Sequence, residues 1–163
     1  MYKTYMAKNE YIEYMLDKYG DMVYRLAISR TRNRDNGEDV FQEVFLRLSK
    51  NLPEFESEEH EKAWLIKVTI NCSKSLLNSK WHRCVDSLEM ELKEEEIPMY
   101  DVYYDVLRLP QKYRTVIHLF YYENLPIKEI SKILNTKETT VKTWLARGRK
   151  KLKNMLEGGE END

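Results

Sequence analysis

The side chains best placed to do chemistry lie in one segment, "KETTVKTWLARGRKKLKNML", from Lys137 to Leu156. It opens on an acid and two threonines and, after Glu138, carries only cations. Ammonium and guanidinium groups of this kind hold phosphate or carboxylate oxygens rather than make covalent bonds. Laid out at about 100° per residue, Val141, Leu145, Gly148 and Leu152 fall on one side. Thr139, Lys142, Thr143, Ala146, Lys150 and Lys153 fall opposite, with Arg147 at their edge. A face that only keeps a helix soluble usually mixes Glu with Lys at i,i+4. Here no acid interrupts the cations, and small residues between them let the helix sink into a major groove. Lys142 and Arg147 then reach base edges or phosphates. Trp144 sits on the shoulder of the helix, where packing against the scaffold is the simplest use.

Other chemistry is missing from the chain. No paired carboxylates, Gly-rich phosphate loop or nucleophile–base set stands out, so an enzyme is not expected and no cofactor is implied. His60, Cys72, His82 and Cys84 lack the short paired spacings of a zinc site, so no metal is expected either. Cys72 and Cys84 are too few for a disulfide scaffold. The opening "MYKTYMAKNEYIEYM" has no continuous apolar run, and no later stretch approaches transmembrane length. The expectation is a reduced, cytoplasmic protein with no membrane contact of its own.

Two further helical faces carry polar groups suited to binding. In "DNGEDVFQEVFLRLSKNL", Asp35 or Asn36 can cap a helix whose first turn holds Glu38 and Asp39. Phe41, Val44, Phe45 and Leu48 make its core stripe. Asp39, Gln42, Glu43 and Leu46 share the opposite face, an exposed leucine ringed by polar groups, which suits protein docking or simple solvation. In "KAWLIKVTINCSKSLLNSKWHR", the apolar side is made by Leu65, Ile66, Val68, Ile70, Cys72, Leu76 and Leu77. Its other face holds Trp64, Lys67, Asn71, Lys74, Ser75 and Asn78. An aromatic ring, amides and lysines without acids suit a single strand or a distorted duplex, where bases stack and amides read edges.

The elements that must position these faces are helices. Apolar residues recur at three and four, and the chain has 5 Gly and 4 Pro, so the fold class is all-α. The pattern predicts helices near 8–19, 21–33, 37–51, 58–80, 99–109, 111–123, 127–134 and 138–156. Pro110 marks a helix start; Val116, Leu119 and Phe120 follow on one stripe. Ile127, Ile130, Ile133 and Leu134 give a short helix its buried face. Asn135, Thr136 and Lys137 form a three-residue turn before the long helix. Short helix, tight turn and long helix make a helix-turn-helix, with Gly148 permitting close packing against the first helix of the pair.

Charge divides the chain in the same way. The net charge of −1 predicts no partner. Met1 to Arg83 is balanced, with 14 basic and 13 acidic residues, whereas Cys84 to Val106 sets Lys93 against eight acids. Leu107 to Leu156 holds 12 basic residues against Glu123, Glu129 and Glu138, the footprint of a nucleic-acid-binding module. The acidic "CVDSLEMELKEEEIPMY" reads as a linker, with room for a short helix, between two helical lobes.

Taken in order, four segments resemble one family. "GEDVFQEVFLRL", "FESEEHEKAWLIKVTINCSKSLL", then, past the linker, "LPQKYRTVIHLFYYENLPIKEISKIL" and "TTVKTWLARGRKKL" look like an extracytoplasmic-function (ECF) sigma factor of the sigma-70 family. The resemblance spans nearly the whole chain. It implies a region 2 helical domain over 1–83, an acidic flexible linker over 84–104, a region 4 helix-turn-helix over 105–156 and an acidic tail over 157–163. It implies that Asp39, Gln42 and Glu43 grip the β′ clamp helices of core RNA polymerase. It places Trp64, Lys67, Asn71 and Ser75 against the −10 element, and Thr140, Lys142, Thr143, Ala146 and Arg147 against the −35 element. It also implies docking of region 4 on the polymerase β flap, and an anti-sigma protein as regulator. Three positions depart from the family pattern: the acidic loop "ESEEHEK", Trp144 where Arg is frequent, and Ser75 where Asp is common. The alternatives are a helix-turn-helix regulator binding an operator without being a polymerase subunit, and a helical adaptor that binds only protein.

Overall fold

A computed structural model describes residues 7–81 and 101–158, apart from the side chains of Lys80, Trp81 and Asp101. The acidic linker up to Tyr100, with any short helix in it, lies outside the described residues. So do His82, Cys84, the first six residues and the tail beyond Gly158. The chain divides into two compact units, Met1–Val85 and Asp86–Asp163, and every element among the described residues is helical.

The first unit is a three-helix bundle of α1 (Lys8–Thr31), α2 (Arg34–Asn51) and α3 (Glu58–Trp81), each packed on the other two. α1 is one helix where the sequence pattern suggests two, because Gly20 does not break it. A Cβ at Gly20 would meet nothing within 4 Å. A mid-helix glycine costs about 1 kcal/mol relative to alanine. Burial of Met15, Tyr19, Met22, Val23 and Leu26 on the helix's inner side outweighs that cost. α1 ends on Arg32, which is left-handed at φ 53° and bonds back to the Ile28 carbonyl at 2.8 Å.

α2 begins three residues earlier than the pattern suggests, and its cap is neither Asp35 nor Asn36. Asn33 Oδ1 accepts from the Asn36 amide at 2.8 Å, leaving Asp35 in the first turn beside the positive end of the dipole. Glu38 pairs instead with Arg34 at 3.2 Å. The α2 core stripe is Val40, Val44, Phe45 and Leu48, with Phe41 only half-buried. Gly37 lets α1 and α2 approach closely, since a Cβ there would stand 2.5 Å from Ile28 Cδ1.

The second unit is built on α5 (Gln111–Ile117), whose N-cap is Pro110 as the pattern suggests. α7 (Glu138–Leu156) packs along α5, and α4 (Asp101–Leu107) and α6 (Ile127–Leu134) pack on α7. Where a single helix over 111–123 is expected, α5 passes into a π-helical turn, His118–Tyr122. The reason is a buried polar chain. Tyr103 Oη lies 3.0 Å from His118 Nδ1, and His118 Nε2 lies 3.2 Å from Glu123 Oε1. The widened turn brings both nitrogens to partners, and the Glu123 amide donates five residues back to the His118 carbonyl at 3.2 Å. Of the α6 stripe only Ile130 is fully buried; Ile127, Ile133 and Leu134 are half-covered.

Candidate nucleic-acid interface

The three-residue turn between α6 and α7 has the geometry of a Schellman closure. Asn135 adopts φ 50° and donates to the Lys132 carbonyl at 3.2 Å, while the Thr136 amide reaches the Ser131 carbonyl at 3.0 Å. An asparagine tolerates the left-handed region better than most residues, so α6 stops there and α7 can start at Glu138.

α7 divides into two faces. Val141, Leu145 and Gly148 are buried, and Leu152 is half-buried. Thr139, Lys142, Thr143, Ala146, Arg147 and Lys150 are exposed together, and Thr140 is half-covered at their edge. Thr143 Oγ1 donates back to the Thr139 carbonyl at 3.0 Å, which folds that hydroxyl onto the helix. Among the described residues Lys142, Arg147 and Lys150 have no ion-pair partner, so their charge is available to an external anion. The glycine contact differs from expectation. Gly148 faces α5, with a Cβ placed 3.1 Å from Ile117 Cγ1 and 3.2 Å from Tyr113 Cβ, and not the short helix before the turn. Trp144 is half-buried on the shoulder.

On α3 of the first unit, Lys67, Asn71, Lys74, Ser75 and Asn78 are exposed and Trp64 is half-buried. One partner of Trp64, and the ring behind it, were not legible from helical spacing. Phe55 meets its ring edge-on at 5.8 Å, and His60 meets Phe55 at 5.2 Å. The Glu56 amide donates to His60 Nδ1 at 3.2 Å, and Ser57 Oγ accepts from the His60 amide, starting α3. The acidic loop is partly neutralised. Lys18 on α1 reaches Glu58 at 2.8 Å and Glu61 at 3.4 Å, and Tyr19 donates to Glu61 at 2.7 Å. Burial alone would lower the Lys18 ammonium, but its bond to Glu58 and the charge of Glu61 hold it above the usual lysine range. Beneath the strip, Arg30 is buried and donates to Ser73 Oγ at 2.9 Å; desolvation lowers its guanidinium to about 10.

On α2, Asp39, Gln42 and Leu46 are exposed and Glu43 is half-covered. Leu46 keeps 51% of its surface in solvent. Arg47 pairs with Glu43 at 3.0 Å, a cation within this face that the spacing argument did not include. No group of His, Cys, Asp and Glu among the described residues has the arrangement of a metal site. No helix there is long and apolar enough to cross a membrane.

Known proteins share this layout. Residues 15–83 match the family model for sigma-70 region 2, and residues 106–152 match that for sigma-70 region 4. The ECF RNA polymerase sigma factor SigW of Bacillus subtilis is 30% identical over 164 residues, covering 87% of each chain. The sigma factor SigV of the same organism is 30% identical over 138 residues, covering 82% of this chain and 83% of its own. Among solved structures, the fold is similar to the sigma factor RpoE of Bartonella quintana, crystallised with the anti-sigma factor NepR. The TM-score is 0.72 at 19% identity, over 89% of this chain and 96% of that one. It is also similar to CnrH in complex with the cytosolic domain of CnrY, with a TM-score of 0.67 at 18% identity, over 93% of this chain and 91% of that one. The chain belongs to the sigma-70 family of RNA polymerase sigma factors, in its ECF group. Its function is that of a sigma factor, which directs RNA polymerase to promoters and is a polymerase subunit rather than an enzyme in its own right. The region 2 match in the N-terminal unit sets aside a free-standing operator-binding regulator.

Proposed function

We propose that α7 reads the −35 element and the exposed strip of α3 captures the −10 element, with α2 docking on core polymerase. The observation that carries this reading is the acid-free face of α7, whose cations Lys142, Arg147 and Lys150 lack partners among the described residues. Thr139, Thr140, Thr143 and Ala146 let the backbone approach the duplex closely enough for Lys142 and Arg147 to reach base edges and phosphates. In the first unit Trp64, backed by Phe55, offers a ring for an unstacked base. Asn71 and Ser75 offer polar groups for base edges, and Lys67 and Lys74 hold phosphates. Unstacking costs a few kcal/mol per step, and capture returns about 1–3 kcal/mol for each stacked base. Two modest sites on one chain reach useful affinity through effective concentration.

The polymerase side of the proposal uses Asp39, Gln42, Glu43 and Leu46 against the β′ clamp helices, and the second unit against the β flap. Residues 1–83 and 105–156 then act as regions 2 and 4, in a cytoplasmic protein held in check by an anti-sigma factor. The similar RpoE structure was crystallised with such a partner, which supports that last element.

Run-off transcription with purified core polymerase tests the assignment. The chain should confer promoter-specific transcripts, and Lys142→Ala or Arg147→Ala should abolish most of them while leaving core binding unchanged. Full transcription by both variants would overturn the −35 assignment.

A further inference from the structure

Arg149 lies outside the set of α7 residues assigned to DNA, yet it is exposed on the same flank of the helix. Seven residues separate it from Lys142, which brings it back to within about 20° of Lys142 around the helix and about 10.5 Å further along the axis. Helix-turn-helix docking puts the first turns of the second helix over base edges. A major groove is about 12 Å wide, so a displacement of that size carries a side chain from the groove floor to its phosphate wall.

The Arg149 head group is already held. Its Nη1 donates to the Tyr121 hydroxyl at 3.1 Å, and it has no carboxylate partner among the described residues. A phenol fixes a guanidinium without neutralising it, and one bond from Nη1 leaves most of the N–H donors for an anion. Tyr121 is held in turn, although 47% of its surface is in solvent. It sits on the π-helical turn His118–Tyr122, beside the buried Tyr103–His118–Glu123 chain. Its neighbour Tyr122 stacks on His118 at 5.6 Å and meets Tyr103 edge-on at 5.0 Å. On the other side the Phe120 ring meets Tyr121 edge-on at 5.0 Å. A π-turn displaces side chains from where a regular α-helix would put them, so the reach of this phenol to α7 depends on the turn.

We infer that Arg149 holds a backbone phosphate of the −35 duplex and that Tyr121 is its positioning residue. This rests on the DNA-facing reading of α7. An arginine side chain has much rotamer freedom to lose, and a partner that already holds its head group lowers the ordering cost of the contact. A carboxylate in place of the phenol would hold the arginine more firmly but would also offset the charge that a phosphate needs. Tyr103 and His118 therefore act on DNA at a distance: they shape the turn, the turn presents Tyr121, and Tyr121 aims Arg149.

Fluorescence anisotropy of the full chain on two labelled duplexes tests this. One duplex carries the −35 element of a promoter transcribed in the run-off assay, and the other has mixed sequence. Arg149→Ala should weaken both by the same factor, roughly four- to eightfold at about 0.1–0.2 M salt, and bring the salt slope about 0.9 closer to zero. Tyr121→Phe removes only an exposed hydroxyl. It should weaken both duplexes about two- to fourfold, with the salt slope and the thermal midpoint unchanged. In the Arg149→Ala background Tyr121→Phe should have no further effect, an outcome that a merely structural role of the phenol would not give. Unchanged affinity and slope in Arg149→Ala, or a loss confined to the −35 duplex, would overturn the phosphate contact. Equal losses from Tyr121→Phe in both backgrounds, or no loss in either, would overturn the positioning role. Lys142→Ala and Arg147→Ala on the same duplexes report on the underlying reading. If they weaken binding and Arg149→Ala does not, α7 still faces DNA and only the role of Arg149 falls.

Discussion

Gly148 of α7 lies against Ile117 of α5 so closely that a methyl group in its place would stand 3.1 Å from Ile117 Cγ1 and 3.2 Å from Tyr113 Cβ. α7 is thus seated on α5, opposite the face that carries Lys142 and Ala146. A branched side chain has no room here. Gly148→Val should destabilise the second unit by about 1–3 kcal/mol through overpacking. Hydrogen exchange across residues 111–122 and 141–152 would read this as accelerated exchange, with exchange in α1–α3 unchanged.

Phosphate contacts set the salt dependence of DNA binding. If α7 and its turn neutralise about four phosphates, log affinity for a −35 duplex should fall against log salt with a slope near −3.6. Lys142→Ala and Arg147→Ala should each weaken binding, and removal of one phosphate-binding cation should bring the slope about 0.9 closer to zero. Fluorescence anisotropy over a salt series measures both quantities. A variant that binds one sequence more weakly, with the slope unchanged, points to a base contact instead.

The Tyr103–His118–Glu123 chain is buried, so removing one member leaves a polar atom short of a partner. Tyr103→Phe deletes only the hydroxyl that faces His118 Nδ1 at 3.0 Å. It should cost about 1–3 kcal/mol. The π-helical turn, and with it the position of Tyr121, should loosen first. Amide exchange in 118–123 rising ahead of exchange in α5 would show this.

Lys18 neutralises the acidic entry to α3. Lys18→Met should leave Glu58 and Glu61 uncompensated near Trp64 and weaken binding of the polymerase-bound chain to a single-stranded −10 oligonucleotide by a fewfold at low salt. The pH sign follows from the raised ammonium. A group whose folded pKa is raised contributes its full stability below its ordinary value, about 10.4 for lysine, and loses it as pH climbs through the folded value. Between pH 6 and 9 the Lys18 contribution should therefore be flat, a point that urea midpoints of both proteins would check.

Leu46 is a large apolar side chain left in solvent, and its replacement should matter only to a partner. Leu46→Asp should change unfolding by no more than about 0.5 kcal/mol. Affinity for core polymerase should fall at least tenfold, about 1.4 kcal/mol. Equal affinity of variant and parent for core would remove α2 from the docking surface.

Much of this protein was settled by local sequence. Apolar spacing alone placed α3, α6 and α7 within a residue or so, because helical periodicity is a short-range property. The separation of Val141, Leu145 and Gly148 from Lys142, Thr143 and Ala146 follows from the same 3.6-residue repeat. Helix ends were less legible. Asn33, Asp35 and Asn36 are all competent caps, and only the docking of α2 on α1 through Gly37 and Ile28 selected the first. Gly20 looked like a break because propensity is local, whereas the burial that overrides it comes from α2 and α3. The partner of Gly148, the contact of Tyr103 with His118, and the pairing of Lys18 with Glu58 and Glu61 all join residues far apart in the chain. Which side chains meet across such separations depends on how whole helices pack, so those contacts were decided by the tertiary structure.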